Sequence, residues 1–448
     1  SLPEISSPTN GTPIFCGLYY RTNDRIIETE VNDMGRAILH IDMNSCYASI
    51  ECLHHPEIRH LPVAVGGDVE ARHGIILAKN ELAKRAGVKT GEALWQAKQK
   101  CPDLVIVPPH YQLYLRFSRM ARAIYAEYTD LIEPFGLDEA WIDVTGSGVF
   151  GDAVEIAETI RNRVKFELGI TVSIGVSFNK IFAKLGSDYK KPDAVTVFGK
   201  DDYREKVWPL PVEELLYVGP ATTRKLRARG IRTIGDLART DPSLLHSWLG
   251  KMGYVLHAFA NGNDPSPVAP LGEEAIIKSI GNSTTTPRDL TCEEDVNIIF
   301  YVLAESVAAR MRENGFRAKT VQISLRDTDL FSFERQCKLE SPSCLASELH
   351  DAGMRLLRDH YRFRKPLRSV GIRGMDLVPI QTAMQLNFFE DPVRREKRER
   401  LEVAVDELRR RFGHAAVSRA VTMCDPSLGT INPKDDHTIH PVGYFKPA

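Results

Sequence analysis

The chain of 448 residues is 43% hydrophobic and 26% charged, which is ordinary for a globular protein and excludes disorder over most of its length. Its formal net charge of -1 gives no overall signal for nucleic acid, so any such binding must come from local basic clusters. No apolar run approaches the roughly 20 residues of a transmembrane helix, and the 8 cysteines lack the CxxC spacing of zinc sites. We therefore expect a protein of the reducing cytoplasm with no membrane association.

The first predicted strand leads into an acidic residue. Residues 1–35 lack apolar periodicity and are rich in Ser, Thr, Asn and Pro, so we assign them to an N-terminal extension. Residues 37–41 form an apolar run typical of a buried strand, and the polar pair Asn44-Ser45 opens an apparent helix. Asp42 lies between the two, at a place where sheets present catalytic groups.

Strand and helix patterns alternate from residue 61 to residue 199, with one helix predicted to begin at residue 91, and this alternation predicts an α/β layer. Within it, the β-rich run 131–144 contains Asp138 and Glu139. Neighbouring residues of a regular strand point to opposite faces, so these carboxylates can converge only near a turn, and Gly136 permits one. With Asp42 they provide three acids from two segments, a set suited to paired Mg²⁺ ions. An isolated Asp-Glu pair is more often a solvated charge or a cap, but the presence of Asp42 favours the metal site.

The chain becomes helical and basic from about residue 207. Segment 218–226, followed by 230–237, resembles a helix-hairpin-helix, whose Gly turn exposes backbone N–H groups to a nucleic-acid phosphate. The predicted DNA contacts in this segment are Gly219, Thr222, Arg224 and Lys225. The alternative is a solvated basic helix face that only caps a helical bundle.

A linker rich in Gly and Pro, 263–277, precedes a further domain at 278–380. Strand and helix patterns follow one another there in the order βαββαβ, which predicts a small sheet with helices on one face. Arg326, Arg368 and Arg373 are predicted to line the open face of the sheet and to grip phosphates. Ordinary solvent-facing strand positions explain these arginines nearly as well.

These segments together resemble the Y-family translesion DNA polymerases, in the bacterial branch of DNA polymerase IV and its polymerase V-like relatives. The resemblance spans roughly residues 36–425 and rests on segments 41–51, 137–140, 175–184, 191–193 and 218–220. It implies an α/β multidomain fold, a right-hand polymerase with palm, small fingers, helical thumb and βαββαβ little finger. The implied boundaries are palm 36–45 and 110–198, fingers 46–109, thumb 199–262, little finger 278–380, and a C-terminal tail 381–448.

The resemblance also implies the activity and the metal ligands. The chain would add deoxynucleotides to a primer 3′-hydroxyl on a template, with low fidelity and tolerance of lesions, and would act as a monomer. Asp42, Asp138 and Glu139 would be the catalytic carboxylates that hold two Mg²⁺ ions. The backbone carbonyl of Met43 would be a further metal ligand. Primer-template DNA and deoxynucleoside triphosphates would be the substrates.

The nucleotide contacts follow from the same resemblance. Backbone N–H groups of Ser45, Cys46 and Tyr47 would cradle the triphosphate, and Lys191 would clamp it. The Tyr47 ring would act as the steric gate that excludes a ribose 2′-hydroxyl.

Two positions depart from the family pattern. Where many relatives have Tyr and Arg in the fingers helix, this chain has Glu81 and Lys84. Lys84 is predicted to bind the nucleotide, because it keeps the charge of Arg although it lacks the bidentate fork. We expect Glu81 to point away from the triphosphate, since a carboxylate would repel it.

A short segment near the C-terminus predicts a protein partner. Gln385-Leu386-Asn387-Phe388-Phe389 resembles the motif by which bacterial polymerases bind the sliding clamp. Leu386, Phe388 and Phe389 would fill an apolar groove, and the amide of Gln385 would fix the register. The alternative is an apolar cluster that packs against the charged helix predicted at 392–411.

Three other functions compete with this interpretation. A nucleotide cyclase shares a palm-like layer and paired carboxylates, but it has no use for a helix-hairpin-helix and a basic C-terminal domain. A noncatalytic DNA-binding scaffold of the same family, acting in damage tolerance, would lose acids, whereas this chain keeps all three. A general DNA-binding module leaves the carboxylates without a role.

Overall fold

The computed structural model describes residues 35–67, 74–273, 277–383 and 391–433. Everything discussed below belongs to the unit Arg36–Ala448. Up to residue 135 the elements are β1 (Ile38–Met43), α1 (Cys46–His54), β2 (Val63–Gly66), β3 (Ile76–Lys79), α2 (Glu81–Arg85), α3 (Leu94–Lys100), β4 (Val105–Val107), α4 (Tyr111–Ala126) and β5 (Ile132–Pro134). From residue 136 to 273 they are β6 (Glu139–Asp143), α5 (Ala153–Arg163), β7 (Val172–Ser177), α6 (Lys180–Tyr189), β8 (Val195–Phe198), α7 (Tyr203–Lys206), α8 (Pro220–Arg227), α9 (Ile234–Arg239), α10 (Pro242–Leu249) and α11 (Lys251–Ala260).

The remaining elements form a second α/β region. They are β9 (Ser279–Leu290), α12 (Glu293–Glu313), β10 (Phe316–Asp327), β11 (Ser332–Ser343), α13 (Ala346–His360), β12 (Leu367–Pro379), α14 (Pro392–Phe412) and α15 (Pro426–Gly429). None of the described helices is both long and apolar enough to cross a membrane. The cysteines in the described ranges are free thiols.

The central sheet has β1 in its middle, in the order β5-β6-β1-β7-β8. Every residue of β1 is buried, as its apolar sequence predicts. β1 pairs antiparallel with β6 and β7, and the register places Asp42 opposite Glu139. Residues directly opposite one another on antiparallel strands have Cβ atoms about 4.5–5.5 Å apart. This register therefore brings two of the predicted metal ligands together.

The two faces of the central sheet carry different helices. Leu39 and Ile41 of β1 face a core that they share with α1, α4 and α5. His40 and Asp42 point to the opposite face, where they contact Ser187 and Lys184 of α6. The alternation of β1 therefore separates a purely apolar side from the side that carries the acids.

Helix α6 packs very closely on β7 through two glycines. A Cβ on Gly175 would lie 1.9 Å from the carbonyl oxygen of Ala183, and a Cβ on Gly186 would lie 2.9 Å from the Cα of Gly175. A side chain at either position would push the helix away from the sheet. The close contact holds the polar residues of α6 over the end of β1.

A small sheet of order β3-β2-β4 forms a separate layer with α2 and α3. Ala64, Ile76, Ala83 and Leu94 belong to its core. The helix that the sequence predicts from residue 91 begins only at Leu94. Residues 91–93 extend the sheet edge instead: Gly91 N–H donates to the Ile76 carbonyl at 2.8 Å, and Ile76 N–H donates to the Glu92 carbonyl at 2.9 Å.

Helices α8 to α11 share a core with α6 and β8, which includes Phe182, Leu226, Leu245 and Leu256. Pro220 occupies the first turn of α8, where its missing N–H costs nothing. Gly230 ends this helix with a φ of 82°, a left-handed conformation that suits glycine. The predicted pair of helices joined by a Gly-containing turn is therefore present.

The C-terminal α/β region has the predicted order βαββαβ. Its four strands form an antiparallel sheet of order β11-β10-β12-β9. Helices α12 and α13 cover one face and bury, among others, Phe300, Leu303, Ile323 and Ile372. In the described part of the chain, Arg326 and Arg373 are exposed on the other face of the sheet.

Helix α14 is not a free tail, because ion pairs attach it to this region. The Arg312 side chain of α12, 9% exposed, contacts Glu402 and lies 2.7 Å (Nε–Oδ2) from Asp406, both on α14. Further ion pairs join α14 to the rest, among them Arg317–Glu399, Arg409–Glu305 and Arg395–Glu348. The predicted tail therefore includes a helix that is part of the folded region.

We expect Arg312→Ala to detach α14. The substitution leaves Glu402 and Asp406 without their shared cation, and breaking a buried ion pair costs about 3–5 kcal/mol. Hydrogen exchange of the α14 amides, measured beside urea unfolding, reads out the loss. Arg400→Ala is the matched control, because Arg400 is 72% exposed and its ion pair with Glu396 lies within α14; such a surface pair contributes up to about 1 kcal/mol. Equal protection of α14 in both variants would contradict the docking.

Candidate active site

A cavity of about 360 Å³ lies between the end of β1 and the small sheet. The predicted metal and nucleotide residues all line it: Asp42, Met43, Ser45, Cys46, Tyr47, Lys84, Asp138, Glu139 and Lys191. Distant segments of the chain thus meet at one cavity. Its volume suits a small-molecule ligand.

The turn before β6 positions Asp138. Gly136 adopts a φ of 88°, which permits the predicted bend. Arg122 of α4 donates from Nη2 to the Gly136 carbonyl at 2.7 Å, and the Met43 N–H donates to the Asp138 carbonyl at 3.0 Å. The bend places Asp138 just before the strand and Glu139 at its first residue. Both carboxylates consequently reach the same cavity.

Two lysines neutralise the acids. Lys191 Nζ lies 2.6 Å from Asp42 Oδ2, and Lys184 Nζ lies 2.8 Å from Glu139 Oε2 and 3.4 Å from Asp42 Oδ2. Asp188 accepts from both lysines, at 3.0 Å and 2.8 Å. The lysines therefore hold a cluster of buried negative charge in place.

Burial and mutual repulsion change the acidity of the cluster. Burial, together with the charges of Asp42 and Glu139, raises the pKa of Asp138 to about 6. Burial also raises the pKa of Asp42, although Lys191 opposes the shift. The pKa of Glu139 is lowered: burial acts against this, but contact with His40 and the charge of Lys184 outweigh it. A cation that binds here must compete with the lysines and with a proton on Asp138.

The donor set fits a divalent cation that arrives with its substrate. Among the described residues, no three His, Cys, Asp or Glu side chains form a metal cage by themselves. Mg²⁺ is usually held by one or two carboxylates together with substrate phosphates and not by a complete protein cage. Glu139 Oε2 is buried and faces Lys184 Nζ at 2.8 Å and His40 Nε2 at 3.2 Å. A metal ion that binds this oxygen must therefore replace at least one of these two contacts.

The N-terminus of α1 faces the same cavity. Ser45 precedes the helix in a left-handed conformation, φ 48°, and makes no side-chain capping bond. The buried Asn44 side chain secures this strained turn: its Nδ2 donates to Ser173 Oγ at 2.8 Å, and its Oδ1 accepts from Asp193 N–H at 2.9 Å. The last contact ties the loop of Lys191 to the helix. First-turn N–H groups of a helix are natural ligands for phosphate.

Tyr47 forms an aromatic wall of the cavity. Its ring stacks on Tyr114, with centroids 4.2 Å apart and planes 9° from parallel, and meets Tyr111 edge-on at 6.0 Å. Tyr114 donates its hydroxyl to Glu51, which also accepts from His110 Nδ1 at 2.9 Å. These contacts support the ring of Tyr47 beside the predicted metal ligands.

Glu81 is one of the residues that line the cavity, together with Lys84, and the Lys84 Nζ lies 3.5 Å from Glu81 Oε1. Its orientation relative to a bound triphosphate stays a prediction, but that prediction considered the repulsion of Glu81 from phosphate without its partner. The i,i+3 spacing on α2 pairs the two side chains, so Lys84 neutralises the carboxylate.

The predicted DNA-contacting residues lie on two surfaces. Gly219, Arg224 and Lys225 are exposed and Thr222 is half-buried, at the start and along α8. Arg326 and Arg373 are exposed on β10 and β12, and Arg373 lies opposite Gln322 in the register. Arg368 falls at a register shift between Leu367 and Ser369, so alternation assigns it to neither face. Their contacts with DNA stay predictions.

Sequence reasoning gave no role to several residues that support the site. Lys184 stands in a matched segment, but only the packing of α6 reveals its contact with Glu139. His40 is fully buried, with its Nε2 3.2 Å from Glu139 Oε2 and its Nδ1 2.8 Å from Ser187 Oγ. Burial lowers the pKa of His40, so its neutral form is favoured. A histidine two residues before Asp42 on the same strand face was the available signal.

The predicted clamp motif, Gln385 to Phe389, lies outside the described residues. The N-terminal extension before residue 35 also lies outside them.

Comparison with known proteins agrees with the geometry. Residues 41–188 match the impB/mucB/samB family, and residues 277–388 match the C-terminal domain of that family. A DNA polymerase IV of Acetivibrio thermocellus is 52% identical over 399 residues, covering 89% of this chain and 100% of the relative. DNA polymerase IV 1 of Bacillus subtilis is 38% identical over 394 residues, covering 87% and 93%. A solved Y-family DNA polymerase chimera gives a TM-score of 0.67 at 22% identity, covering 77% of this chain and 99% of that chain.

The solved chimera supports the right-hand fold, and the relatives of higher identity support the activity. A noncatalytic scaffold is not favoured, because the matched relatives are named as polymerases and the acids meet at one cavity. Divalent metal use and binding of primer-template DNA and deoxynucleoside triphosphates follow from the family. The chain therefore belongs to the impB/mucB/samB family and is a Y-family, polymerase IV-type DNA-directed DNA polymerase of translesion synthesis.

Proposed function

We propose that this polymerase transfers nucleotides by a two-metal mechanism in which Asp42, Asp138 and Glu139 hold two Mg²⁺ ions and the Met43 carbonyl is a further ligand. The observation that carries the proposal is the register of β1, which sets Asp42 opposite Glu139 at a cavity that Asp138 also lines. When bound, such ions lower the pKa of the primer 3′-hydroxyl and neutralise the leaving pyrophosphate.

The protein groups in this proposal mainly bind and orient. The N–H groups of Ser45, Cys46 and Tyr47 receive the triphosphate at the start of α1. The Lys191 ammonium group pairs with Asp42 at the wall of the cavity. When the nucleotide enters, this group leaves the carboxylate and contacts a phosphate oxygen. Lys184, only 12% exposed, stays against Glu139 and limits the repulsion within the cluster.

Primer extension with Mg²⁺ tests this proposal. The full chain is expected to extend a primer by template-directed addition and to stop when a chelator removes the metal. Failure to extend any primer at saturating nucleotide and Mg²⁺ would contradict the proposal and favour the noncatalytic alternative. Binding of labelled primer-template by the same preparation distinguishes a loss of chemistry from a loss of DNA binding.

The remaining proposals concern architecture and partners. We assign the palm to 36–45 and 110–198, the fingers to 46–109, the thumb to 199–262 and the little finger to 278–380, which the three sheets and the helical bundle support. DNA contacts come from α8 and from the open face of β10 and β12.

The protein acts as a monomer in the cytoplasm, where its DNA substrate is. It binds the sliding clamp through Gln385, Leu386, Phe388 and Phe389.

Deletion of residues 385–389 is expected to remove stimulation by the sliding clamp and to leave synthesis on short templates nearly unchanged. The reason is that a clamp raises the effective concentration of polymerase at the primer without taking part in the chemistry. The measurement is extension on long, clamp-loaded templates beside short ones, and the control replaces 385–389 by a Gly-Ser segment of equal length. Equal clamp stimulation of the wild type and both variants would favour the core-packing alternative.

A further inference from the structure

An exposed apolar surface on the small sheet has no part in the site described above. Trp95, at the start of α3, is 62% exposed beside an open pocket of about 640 Å³. The pocket is lined by Gly66, Gly67, Leu94, Lys98, Ile106 and Pro108. An indole exposed to this extent next to an apolar pocket indicates a binding surface.

This surface continues the nucleotide cavity along one edge of the small sheet. Leu77 lines the nucleotide cavity, and Ile75, two residues earlier on the same side of the chain, is 44% exposed. At about 3.3 Å per residue, the two side chains are roughly 7 Å apart. Ile75 bridges to Ala93, and its carbonyl accepts the Gly67 N–H at 3.3 Å. Trp95 follows Ala93 by two residues, so this bridge connects the segment at the cavity with the segment that carries the indole.

The chemistry of the surface suits a single strand of nucleic acid. Lys98 is exposed and lies three residues after Trp95, on the same side of α3. Among the described residues that line the pocket, none is acidic. Gly66 contributes backbone and no side chain to the pocket, and a Cβ at this position would lie 2.7 Å from Leu94 Cδ2. An aromatic platform with an adjacent cation is what sequence-independent single-strand binding uses.

We propose that this surface binds the unpaired template strand ahead of the templating base, with a base stacked on Trp95 and a phosphate beside Lys98. The proposal rests on the proposed function, because it assumes that the new base pair forms in the cavity that Leu77 lines. The surface would hold the next template base out of the cavity until the preceding nucleotide has been added. Every base has an aromatic face, so the contact suits a template of any sequence.

Binding to two labelled primer-templates tests the proposal. One template ends at the templating base, and the other has a long unpaired 5′ extension. Trp95→Ala is expected to weaken binding of the extended substrate about tenfold, which corresponds to about 1.4 kcal/mol, and to leave the short substrate unchanged. Trp95→Phe is expected to keep most of the affinity, because a smaller ring still stacks. Phe166→Ala is the matched control, since Phe166 is 79% exposed but lies on the palm.

Lys98→Ala provides an independent readout, because Lys98 is exposed and its removal does not disturb packing. We expect it to reduce the salt dependence of binding to the extended substrate by about 0.7 in log–log slope, the value for one single-strand phosphate. Equal preference for the extended substrate in the wild type, Trp95→Ala and Lys98→Ala would overturn the proposal and leave the surface to a protein partner. Primer extension by the wild type on the short template is measured in parallel, and a wild type that does not extend the primer contradicts the proposed function. The binding comparison needs no catalysis, so it tests the template surface independently.

Discussion

Asp138→Asn is expected to reduce the rate of nucleotide addition by roughly a thousandfold or more, while binding of primer-template stays within a few fold. The substitution keeps the size of the side chain but removes the charge of a proposed metal ligand. Arg122 and Met43 donate hydrogen bonds to backbone carbonyls of the turn that contains Asp138. These bonds do not involve the substituted side chain, so we expect the backbone of the turn to stay in place. Single-turnover extension at saturating Mg²⁺, with DNA affinity from fluorescence anisotropy, measures both quantities.

Asp143→Asn is the control for this prediction. Asp143 lies at the opposite end of β6 and is half-exposed, and its carboxylate accepts from the Thr145 backbone N–H at 3.0 Å. Its removal is expected to leave the extension rate within about twofold, as for most exposed sites away from special features. An Asp138→Asn variant that extends primers at the wild-type rate would refute the two-metal assignment.

Tyr47→Ala is expected to raise ribonucleotide incorporation, relative to deoxyribonucleotides, by roughly tenfold or more. The ring is held at the cavity wall by stacking on Tyr114, and removing it opens space beside the sugar. Discrimination by a steric clash disappears when the clashing group is removed. The ratio of kcat/KM for the two nucleotide types, in wild type and variant, measures the effect.

Tyr47→Phe separates the ring from its hydroxyl. If the gate is steric, this variant keeps the wild-type sugar ratio, because the ring remains stacked on Tyr114. The opposing hypothesis is that Tyr47 is only a packing residue, since it packs against the core that β1 shares with α1, α4 and α5. In that case Tyr47→Ala lowers activity toward both sugars alike, and an unchanged ratio rejects the gate.

The sequence predicted the elements of the fold because their patterns are local. The apolar run of β1 and the βαββαβ order of the C-terminal region are confirmed in the structure. The start of α3 was misplaced because residues 91–93 pair with β3, a contact between segments that no local pattern contains. The docking of α14 was missed for a similar reason: Arg312 is separated from Glu402 by many residues, and a charged helix alone predicts a solvated surface.

The sequence predicted the acids of the site, because Asp42 follows an apolar strand and Asp138 and Glu139 follow a glycine turn. It did not predict the lysine that neutralises them, since Lys184 reaches Glu139 through the close packing of Gly175 against Gly186. The support of Tyr47 by Tyr114 depends likewise on the packing of α1 against α4. For Glu81, sequence reasoning considered the charge without Lys84, the neighbour that the helix spacing provides.

The position of Asp42 on β1 couples catalysis to the correctness of strand pairing. Adjacent residues of β1 alternate between the apolar core and the α6 face, so a shift of one residue would exchange the two sets. Asp42 would then enter the core beside α4 and α5, and Ile41 or Met43 would face the lysines. Burying the unpaired Asp42 carboxylate in that core would lower the free energy of unfolding by several kcal/mol. Misregistered molecules are thus both inactive and unstable, and a partly active form with slipped strands is not expected to accumulate.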